Sequence, residues 1–246
     1  MEKNIQKHSS AICGENFQHE YNVVIYENVR IGDNVFLGNN VIIYPDTVIG
    51  DNAVVFDNAV LGRIPMLGPA SLSSVDSSLC PLVLGSNVII GTSAVVYRGT
   101  KIGDYSYIAD IVHIRESCHI GSYCSVGKCT SLEPKVIMED RAKIAACSQI
   151  AALTELKKGC FVGADVSICT DTSFGRIKNA DKKVIIEKGA MIGSNASIGP
   201  GVTIGRNAMV ALGAVVLRNV PENKVAFGNP AKIMWDVDKK LQQKNV

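Results

Sequence analysis

Residues 25 to 61 read IYENVRIGDNVFLGNNVIIYPDTVIGDNAVVFDNAVL, and an aliphatic side chain stands at every sixth position of this stretch. These aliphatic residues are Ile25, Ile31, Leu37, Ile43, Ile49, Val55 and Leu61. The same spacing runs from Leu84 to Ile168 and again from Ile186 to Val216, which gives 28 hexads in a chain of 246 residues. Only Met138 departs from Ile, Leu or Val at this position, so the repeat governs most of the chain.

A second restricted position follows four residues after each aliphatic and holds a small or β-branched residue, for example Val35, Ala53 or Ala190. A period of six with two inward positions fits neither an amphipathic helix nor a two-sided strand, but it fits a solenoid of short strands joined by tight corners. Gly and Asn beside the corners, as in Gly32-Asp33-Asn34, tolerate a positive φ at little steric cost. The sequence therefore predicts an all-β fold of stacked coils.

The period resembles that of the hexapeptide-repeat family, whose members form a left-handed parallel β-helix with three flat walls. At three hexads per coil the resemblance implies about nine coils and a prism roughly 45 Å long, with about 4.8 Å between neighbouring strands. The predicted organisation is a polar tail at 1–20, coils at 21–62, an inserted loop at 63–83, central coils at 84–168, an inserted active-site loop at 169–183, terminal coils at 184–234 and a polar tail at 235–246. Long excursions from a rigid solenoid are where recognition chemistry usually lies.

Composition is consistent with a solenoid and argues against two classes of partner. Only 6% of the residues are aromatic, whereas 47% are hydrophobic, as expected of a narrow core filled by aliphatic side chains. The net charge of +2 has no basic cluster that would indicate nucleic acid or a membrane surface. No apolar run approaches the length of a membrane span, and the first residues do not form a signal peptide. We therefore expect a cytoplasmic protein.

The eight cysteines do not form a metal or disulfide pattern, since no Cys-x-x-Cys pair occurs. Cys118, Cys124 and Cys160 fall on the small inward position, where Cys acts as a small hydrophobe. Cys129 and Cys147 share another position of the hexad. We expect reduced thiols and no bound metal.

A longer signature closes the third block: Gly199-Pro200-Gly201-Val202-Thr203-Ile204-Gly205, then Val210-Ala211-Leu212-Gly213-Ala214-Val215-Val216, and later Gly228-Asn229-Pro230-Ala231-Lys232. It resembles the terminal coils of acyl-coenzyme A-dependent hexapeptide acyltransferases, which are homotrimers that bind the pantetheine arm in a groove between subunits. The resemblance implies acetyl-coenzyme A or another acyl-coenzyme A as co-substrate. The residues that it places at the cofactor are Ser194, Leu212, Gly213, Leu217, Arg218 and Lys232.

A narrower resemblance begins at His113-Ile114-Arg115-Glu116 and His119-Ile120-Gly121. The layout of residues 108–234 is similar to that of N-acetyltransferases that modify the 3-amino group of nucleotide-linked dideoxy sugars. It implies acyl transfer to an amino or hydroxyl group of a sugar or a sugar nucleotide.

Acyl transfer from a thioester needs a base for the proton of the nucleophile, a donor for the oxyanion and exclusion of water. His113 and His119 stand just before the aliphatic position, which alternation points outward, and the usual pKa of His suits a base near neutral pH. Glu116 would need its pKa raised by burial to serve as the base. The predicted catalytic residues are His113, Glu116 and Asp171, the last of them in the second inserted loop.

Two other classes stay open. A γ-type carbonic anhydrase shares the coil, but it needs three His ligands for zinc, and His113 and His119 fall on different walls while His8 and His19 lie in the predicted tail. A non-catalytic scaffold of stacked coils would account for Ala145, Ala146, Ala151 and Ala152 at positions where polar residues are expected.

Overall fold

The computed structural model describes residues 3–69, 71, 78–173, 175–177 and 180–242. Its strands form three sheets, which we call walls A, B and C. Wall A consists of Ile5–Lys7, Val23–Ile25, Ile42–Ile43, Val60–Arg63, Val95–Tyr97, His113–Ile114, Ser131–Leu132, Gln149–Ile150, Ser167–Ile168, Ser197–Ile198 and Val215–Val216. Wall B consists of Ile12–Cys13, Arg30–Ile31, Val48–Ile49, Val83–Leu84, Lys101–Ile102, His119–Ile120, Ile137–Met138, Glu155–Leu156, Ile185–Ile186 and Thr203–Ile204. Wall C consists of Gln18–His19, Phe36–Leu37, Val54–Val55, Ile89–Ile90, Tyr107–Ile108, Ser125–Val126, Lys143–Ile144, Phe161–Val162, Met191–Ile192, Met209–Val210, Lys224–Phe227 and Lys232–Asp236.

The chain visits the three walls in turn, so each strand pairs in parallel with the strand one coil further on. His113 and Ile114, for example, pair with Ser131 and Leu132. Because successive side chains of a strand point to opposite faces, the aliphatic residue of each pair enters the core and its predecessor faces outward. Ile114 is accordingly buried and His113 half-buried. The predicted parallel β-solenoid is confirmed.

The corners require a left-handed backbone. Asn22, Asn40 and Asn58 have φ of 58°, 56° and 60° and lie one coil apart at the corner between walls C and A. The side-chain amide of Asn22 donates to Oδ1 of Asn40 at 3.0 Å, and that of Asn40 donates to Oδ1 of Asn58 at 3.0 Å. Asn tolerates this conformation better than most residues with a Cβ, and each ladder bond links two coils.

The solenoid is longer than the repeat predicts, because the walls contain ten to twelve strands instead of nine. The predicted polar tail at 1–20 is wrong, since Ile5–Lys7, Ile12–Cys13 and Gln18–His19 form an additional first coil. The aliphatic positions of this coil, which pair with those of the next coil, hold Lys7, Cys13 and His19. No preceding coil covers these positions in the described residues, so polar residues are tolerated there and the hydrophobic signal disappears.

The opposite end also differs from the prediction. The strand Lys232–Asp236 turns back antiparallel on Lys224–Phe227, so the predicted boundary of the second tail at 235 falls inside a strand. Val237 is buried beyond it.

Both inserted loops leave the solenoid after wall A and return at wall B. Arg98 holds the first loop by donating to the carbonyl of Leu79 at 3.0 Å, while it also binds the carbonyl of Pro45 and the carboxylate of Asp46. Residues 72–77, part of the predicted inserted loop at 63–83, lie outside the described residues. In the described part of the chain no helix has the length and apolarity that a membrane crossing requires.

Three cysteines are core residues. Cys118, Cys124 and Cys160 are each at most 2% exposed. Burial raises the pKa of Cys118 to about 12 and that of Cys124 to about 11, so both thiols stay protonated at neutral pH. This agrees with the structural role predicted from their place in the hexad.

Candidate active site

A groove of about 990 Å³ runs along wall A beneath the second inserted loop. Its floor consists of the outward residues Gln149, Ser167, Ser197 and Val215 from four successive strands. The loop forms one side, and small residues at the corner between walls A and B, such as Ala151, leave the space open. A volume of this size accommodates a small-molecule ligand.

The loop at 169–183 is organised by one carboxylate. Asp171 accepts hydrogen bonds from the backbone N–H of Ser173 at 2.6 Å, from the Ser173 hydroxyl at 2.8 Å and from the backbone N–H of Gly175 at 2.5 Å. A backbone bridge pairs Asp171 with Asp181 across the loop, and the Thr170 hydroxyl donates to Asp181 at 3.0 Å. Asp171 therefore lines the groove and at the same time fixes the loop's shape.

The end of the loop is tied to wall B by charge. Lys183 forms an ion pair with Glu155, which also contacts Lys157 at 2.9 Å. Hydrogen bonds from Lys183 and then from Lys157 hold the pKa of Glu155 below its usual value. These contacts anchor the point where the chain rejoins the solenoid.

His113 lies on the same wall as the groove but nearer the N-terminal end. Its ring meets that of Tyr97 edge to face, with 5.2 Å between the ring centroids, and Arg63 and Arg115 lie over the Tyr97 ring at 5.7 and 5.6 Å. Burial chiefly, and then the positive charge of Arg115, lowers the pKa of His113. A neutral imidazole that can accept a proton is thus favoured near pH 7.

Glu116 is only 5% exposed, and both of its oxygens are engaged by Arg115. Nε of Arg115 donates to Oε2 at 2.8 Å, and a terminal guanidinium nitrogen donates to Oε1 at 3.0 Å. A two-point hydrogen-bonded ion pair of this kind fixes both side chains. The geometry suits Glu116 for positioning Arg115 beside His113 and Tyr97 better than for accepting a proton.

The structure separates the predicted catalytic residues into two groups. Asp171 lines the groove, whereas His113 and Glu116 do not. His113 is two strands away from Gln149, which corresponds to about 10 Å at the usual strand spacing. Glu133 links the groups, because it lines the groove and its carboxylate approaches Arg115 at 3.8 Å.

Sequence reasoning did not select Glu133, Gln149 or Ser167. Each stands on or next to an outward position of wall A, where a polar residue is ordinary. A signal does exist in the register, because outward residues one coil apart line one wall. It becomes informative only once the loop is known to fold over that wall.

The predicted cofactor residues lie at the C-terminal end of the solenoid. Ser194 and Leu212 are one coil apart at the corner between walls C and A, and the Ser194 hydroxyl accepts from the backbone N–H of Ala164 at 3.2 Å. Leu212 is 74% exposed, and Gly213 has φ +66° with open space around its Cα. This corner is therefore exposed, and no side chain blocks the surface at Gly213.

The remaining predicted cofactor residues flank the same end. Leu217 and Arg218 follow the last strand of wall A, and Leu217 also lines the groove. The backbone N–H of Ala231 donates to the carbonyl of Val215 at 2.8 Å, so the segment before Lys232 covers the end of wall A. Arg218 and Lys232 are both exposed.

The histidines do not converge in one protomer. His113 belongs to wall A and His119 to wall B, while His8 and His19 lie at the first coil. Among the residues that the structure describes, no group of three or more His, Cys, Asp or Glu side chains is arranged to hold a metal ion.

Sequence comparison identifies the repeat. Residues 10–45, 28–63 and 183–218 match the family model described as bacterial transferase hexapeptide (six repeats), and residues 81–109 match the hexapeptide repeat of succinyl-transferase. The first match includes part of the additional first coil. These segments carry the bacterial transferase hexapeptide repeat.

Curated relatives match over a short segment. The 2,3,4,5-tetrahydropyridine-2,6-dicarboxylate N-acetyltransferase of Alkaliphilus metalliredigens is 49% identical over 61 residues, which is 25% of this chain and 26% of the relative. The dTDP-3-amino-3,6-dideoxy-alpha-D-galactopyranose 3-N-acetyltransferase of Aneurinibacillus thermoaerophilus is 39% identical over 61 residues, or 25% of this chain and 28% of the relative. The chain thus spans about a quarter of the length of the curated relatives it matches.

Solved structures match over most of the chain. The UDP-N-acetylglucosamine acyltransferase of Campylobacter jejuni aligns with a TM-score of 0.52 and 20% identity, covering 94% of this chain and 73% of that one. The Arabidopsis UDP-N-acetylglucosamine acyltransferase aligns with a TM-score of 0.58 and 17% identity, covering 96% and 74%. At these identities the likeness concerns the fold.

Proposed function

We propose that the protein is an acyl-coenzyme A-dependent acyltransferase that transfers an acyl group, taken as acetyl, to an amino or hydroxyl group of a sugar or a nucleotide-linked sugar. The observation that carries the proposal is the groove between wall A and the loop at 169–183, which is open to a small molecule and lined by Asp171 and Leu217. The names of the two curated relatives, both N-acetyltransferases, support acetyl transfer.

In this proposal the acceptor binds in the groove, with the loop covering it from water. The acyl-coenzyme A binds at the C-terminal corners, where Ser194, Leu212 and Gly213 lie on one side of wall A and Leu217 and Arg218 on the other. Lys232 and Arg218 supply positive charge for the phosphates.

His113 takes the proton from the amine or hydroxyl as that group attacks the thioester carbonyl. The carbon–sulfur bond then breaks, and the sulfur of the leaving coenzyme A takes up the proton from His113. In this proposal His113, about 10 Å from Gln149 on the groove floor, acts in a cleft shared with a second subunit. A cytoplasmic homotrimer with closed cyclic symmetry would place wall A of one subunit against its neighbour and so form three equivalent clefts. Glu116 positions Arg115 near His113, and Asp171 holds the loop.

The proposal is tested by following release of free coenzyme A from acetyl-coenzyme A with the acceptors that the relatives' names suggest: a dTDP-linked 3-amino sugar, a tetrahydropyridine dicarboxylate and UDP-N-acetylglucosamine. We expect release with at least one of the two nucleotide-linked sugars and a rise in melting temperature with coenzyme A alone, since a ligand that binds the native state stabilises it. If neither occurs, the chain is better described as a scaffold. Release with the dicarboxylate alone would contradict a sugar acceptor.

The role of His113 is tested with a matched pair of variants. His113→Ala should lower turnover about a hundredfold, the scale of one general base. His119→Ala on wall B serves as the control and should have little effect. Because the pKa of His113 is lowered, wild-type activity should be constant from pH 7 upward and fall only below about 6.5, the usual pKa of His. Equal activity of both variants would exclude His113 as the base.

A further inference from the structure

Two exposed cysteines lie on neighbouring coils at the corner between walls C and A. Cys129 and Cys147 have the same left-handed conformation, with φ of 58° and 60°. The backbone N–H of Cys147 donates to the carbonyl of Lys128 at 2.8 Å, and the flanking strands pair in register on both sides of the corner. The two thiols therefore leave the backbone at equivalent points one coil apart.

The spacing of such side chains is visible elsewhere in the solenoid. Tyr105 and Tyr123 occupy the equivalent turn position one corner away, and their rings stack with 5.0 Å between centroids and 5° between planes. The amide ladder at Asn40 and Asn58 shows the same parallel arrangement. Side chains that share a rotamer at this position are separated by the coil repeat of about 4.8 Å, so the two thiols can stand at that separation.

This separation distinguishes between the reactions open to a thiol pair. A disulfide needs the two Cβ atoms within about 3.5–4.5 Å, whereas parallel side chains on adjacent strands hold them about 4.8 Å apart. Hydrogen bonds on both sides of the corner oppose closing that gap. Two thiolates bound in a line to one ion lie about 4.6 Å apart for a bond of the Zn–S length of roughly 2.3 Å, and somewhat closer for shorter bonds, so the coil repeat accommodates such a bridge with little movement.

We propose that Cys129 and Cys147 bind a soft monovalent ion of the Cu⁺ type through two thiolates in a linear bridge. Soft thiolate ligands select Cu⁺, whereas a structural Zn²⁺ site takes four ligands. At the same corner position, the coil before Cys129 has Ile111 and the coil after Cys147 has Asp165. Ile111 has no ligand atom and Asp165 offers a hard oxygen donor, so the ion is bound by the two sulfurs.

Binding leaves the oxidation state of the ion unchanged. Each thiol loses its proton to solvent and donates an electron pair from sulfur, so one bound ion releases two protons. The bridge carries one net negative charge, and the exposed Lys128 beside Cys129 partly balances it. The site is independent of acyl transfer.

The proposal is tested on the reduced full-length chain without oxygen, by titrating Cu⁺ in competition with a chromophoric Cu⁺ chelator. We expect one tightly held ion per chain, and a loss of affinity of about a hundredfold or more in each of Cys129→Ser and Cys147→Ser, since each removes one of the two soft ligands. Cys80→Ser and Cys169→Ser remove exposed thiols elsewhere and should leave the affinity unchanged. Retention by the Cys129 and Cys147 variants, or an equal loss in the controls, would overturn the proposal.

The separation of the two sulfurs is tested by oxidation and by X-ray absorption. Exposure to glutathione disulfide, followed by peptide mass spectrometry, should give no cross-link between Cys129 and Cys147. X-ray absorption of the loaded protein should show two sulfur neighbours. An internal disulfide, or a copper shell rich in oxygen, would contradict the linear bridge.

Discussion

Replacing Asp171 by Asn should release the loop at 169–183 without unfolding the solenoid. The carboxylate accepts three hydrogen bonds, from Ser173 N–H, Ser173 Oγ–H and Gly175 N–H. An Asn side chain keeps one acceptor oxygen, so it can retain the two bonds from Ser173 in neutral form, but it presents an amide donor to the N–H of Gly175. Losing one charge-assisted bond of about 1.5–3 kcal/mol and weakening two by about 1 kcal/mol each gives a local loss of roughly 3–5 kcal/mol.

At about 1.4 kcal/mol per factor of ten, this loss corresponds to a rise of at least about a hundredfold in the open population of the loop. Hydrogen exchange followed by mass spectrometry should show lost protection in peptides covering 169–183 and unchanged protection in the central coils. The melting temperature should change by less than about 2 °C, because the buried core is untouched.

Kinetics then separate the two possible roles of Asp171. If it shapes the groove, KM for the acceptor rises and affinity for coenzyme A is unchanged. Asp181→Asn keeps an oxygen that can accept the bond from the Thr170 hydroxyl at 3.0 Å and loses only its charge, so it is the matched control and should show a smaller effect. Unchanged loop protection combined with a large fall in kcat would refute the structural role and make Asp171 the base.

Three further perturbations test the fold and the cofactor site. Ile120 is 1% exposed, so Ile120→Asp should abolish soluble folding by burying an unpaired charge. Ile120→Val should lower the free energy of unfolding by about 0.5–1.5 kcal/mol, and normal melting of the Asp variant would disprove the register. Asn40→Gly and Asn40→Ala both lose the side-chain ladder bonds, but only the Ala variant has a Cβ that is strained at the φ of 56°. In denaturant titrations the Ala variant should therefore be less stable than the Gly variant by about 1 kcal/mol, and equal stabilities would argue against that strain. Arg218→Glu and Lys232→Glu should weaken coenzyme A binding in calorimetry with little change in melting, since both residues are exposed, and unchanged affinity in both would place the cofactor elsewhere.

The assignment of catalytic roles shows where sequence reasoning was limited. His113 could be selected as an outward residue because alternation along a strand is a local property. That Glu116 is occupied by Arg115, and that Asp171 is occupied by the backbone of its own loop, depends on side-chain rotamers and on the path of an irregular segment. No periodic pattern encodes either contact.

The solenoid and the residues of its core could be predicted from the chain alone, because each hexad repeats the same local requirement: an aliphatic residue inward, a small residue at the corner and a backbone that tolerates positive φ. The three walls were implied by the resemblance to the hexapeptide-repeat family. The signal failed where the requirement is relaxed, at Lys7, Cys13 and His19 of the first coil. The groove could not be predicted in this way, since it arises where the loop at 169–183 folds back over residues from four different coils. The alignment of Cys129 with Cys147 and the separation of His113 from the groove likewise depend on which residues the stacking brings to the same height, and that is a property of the folded molecule.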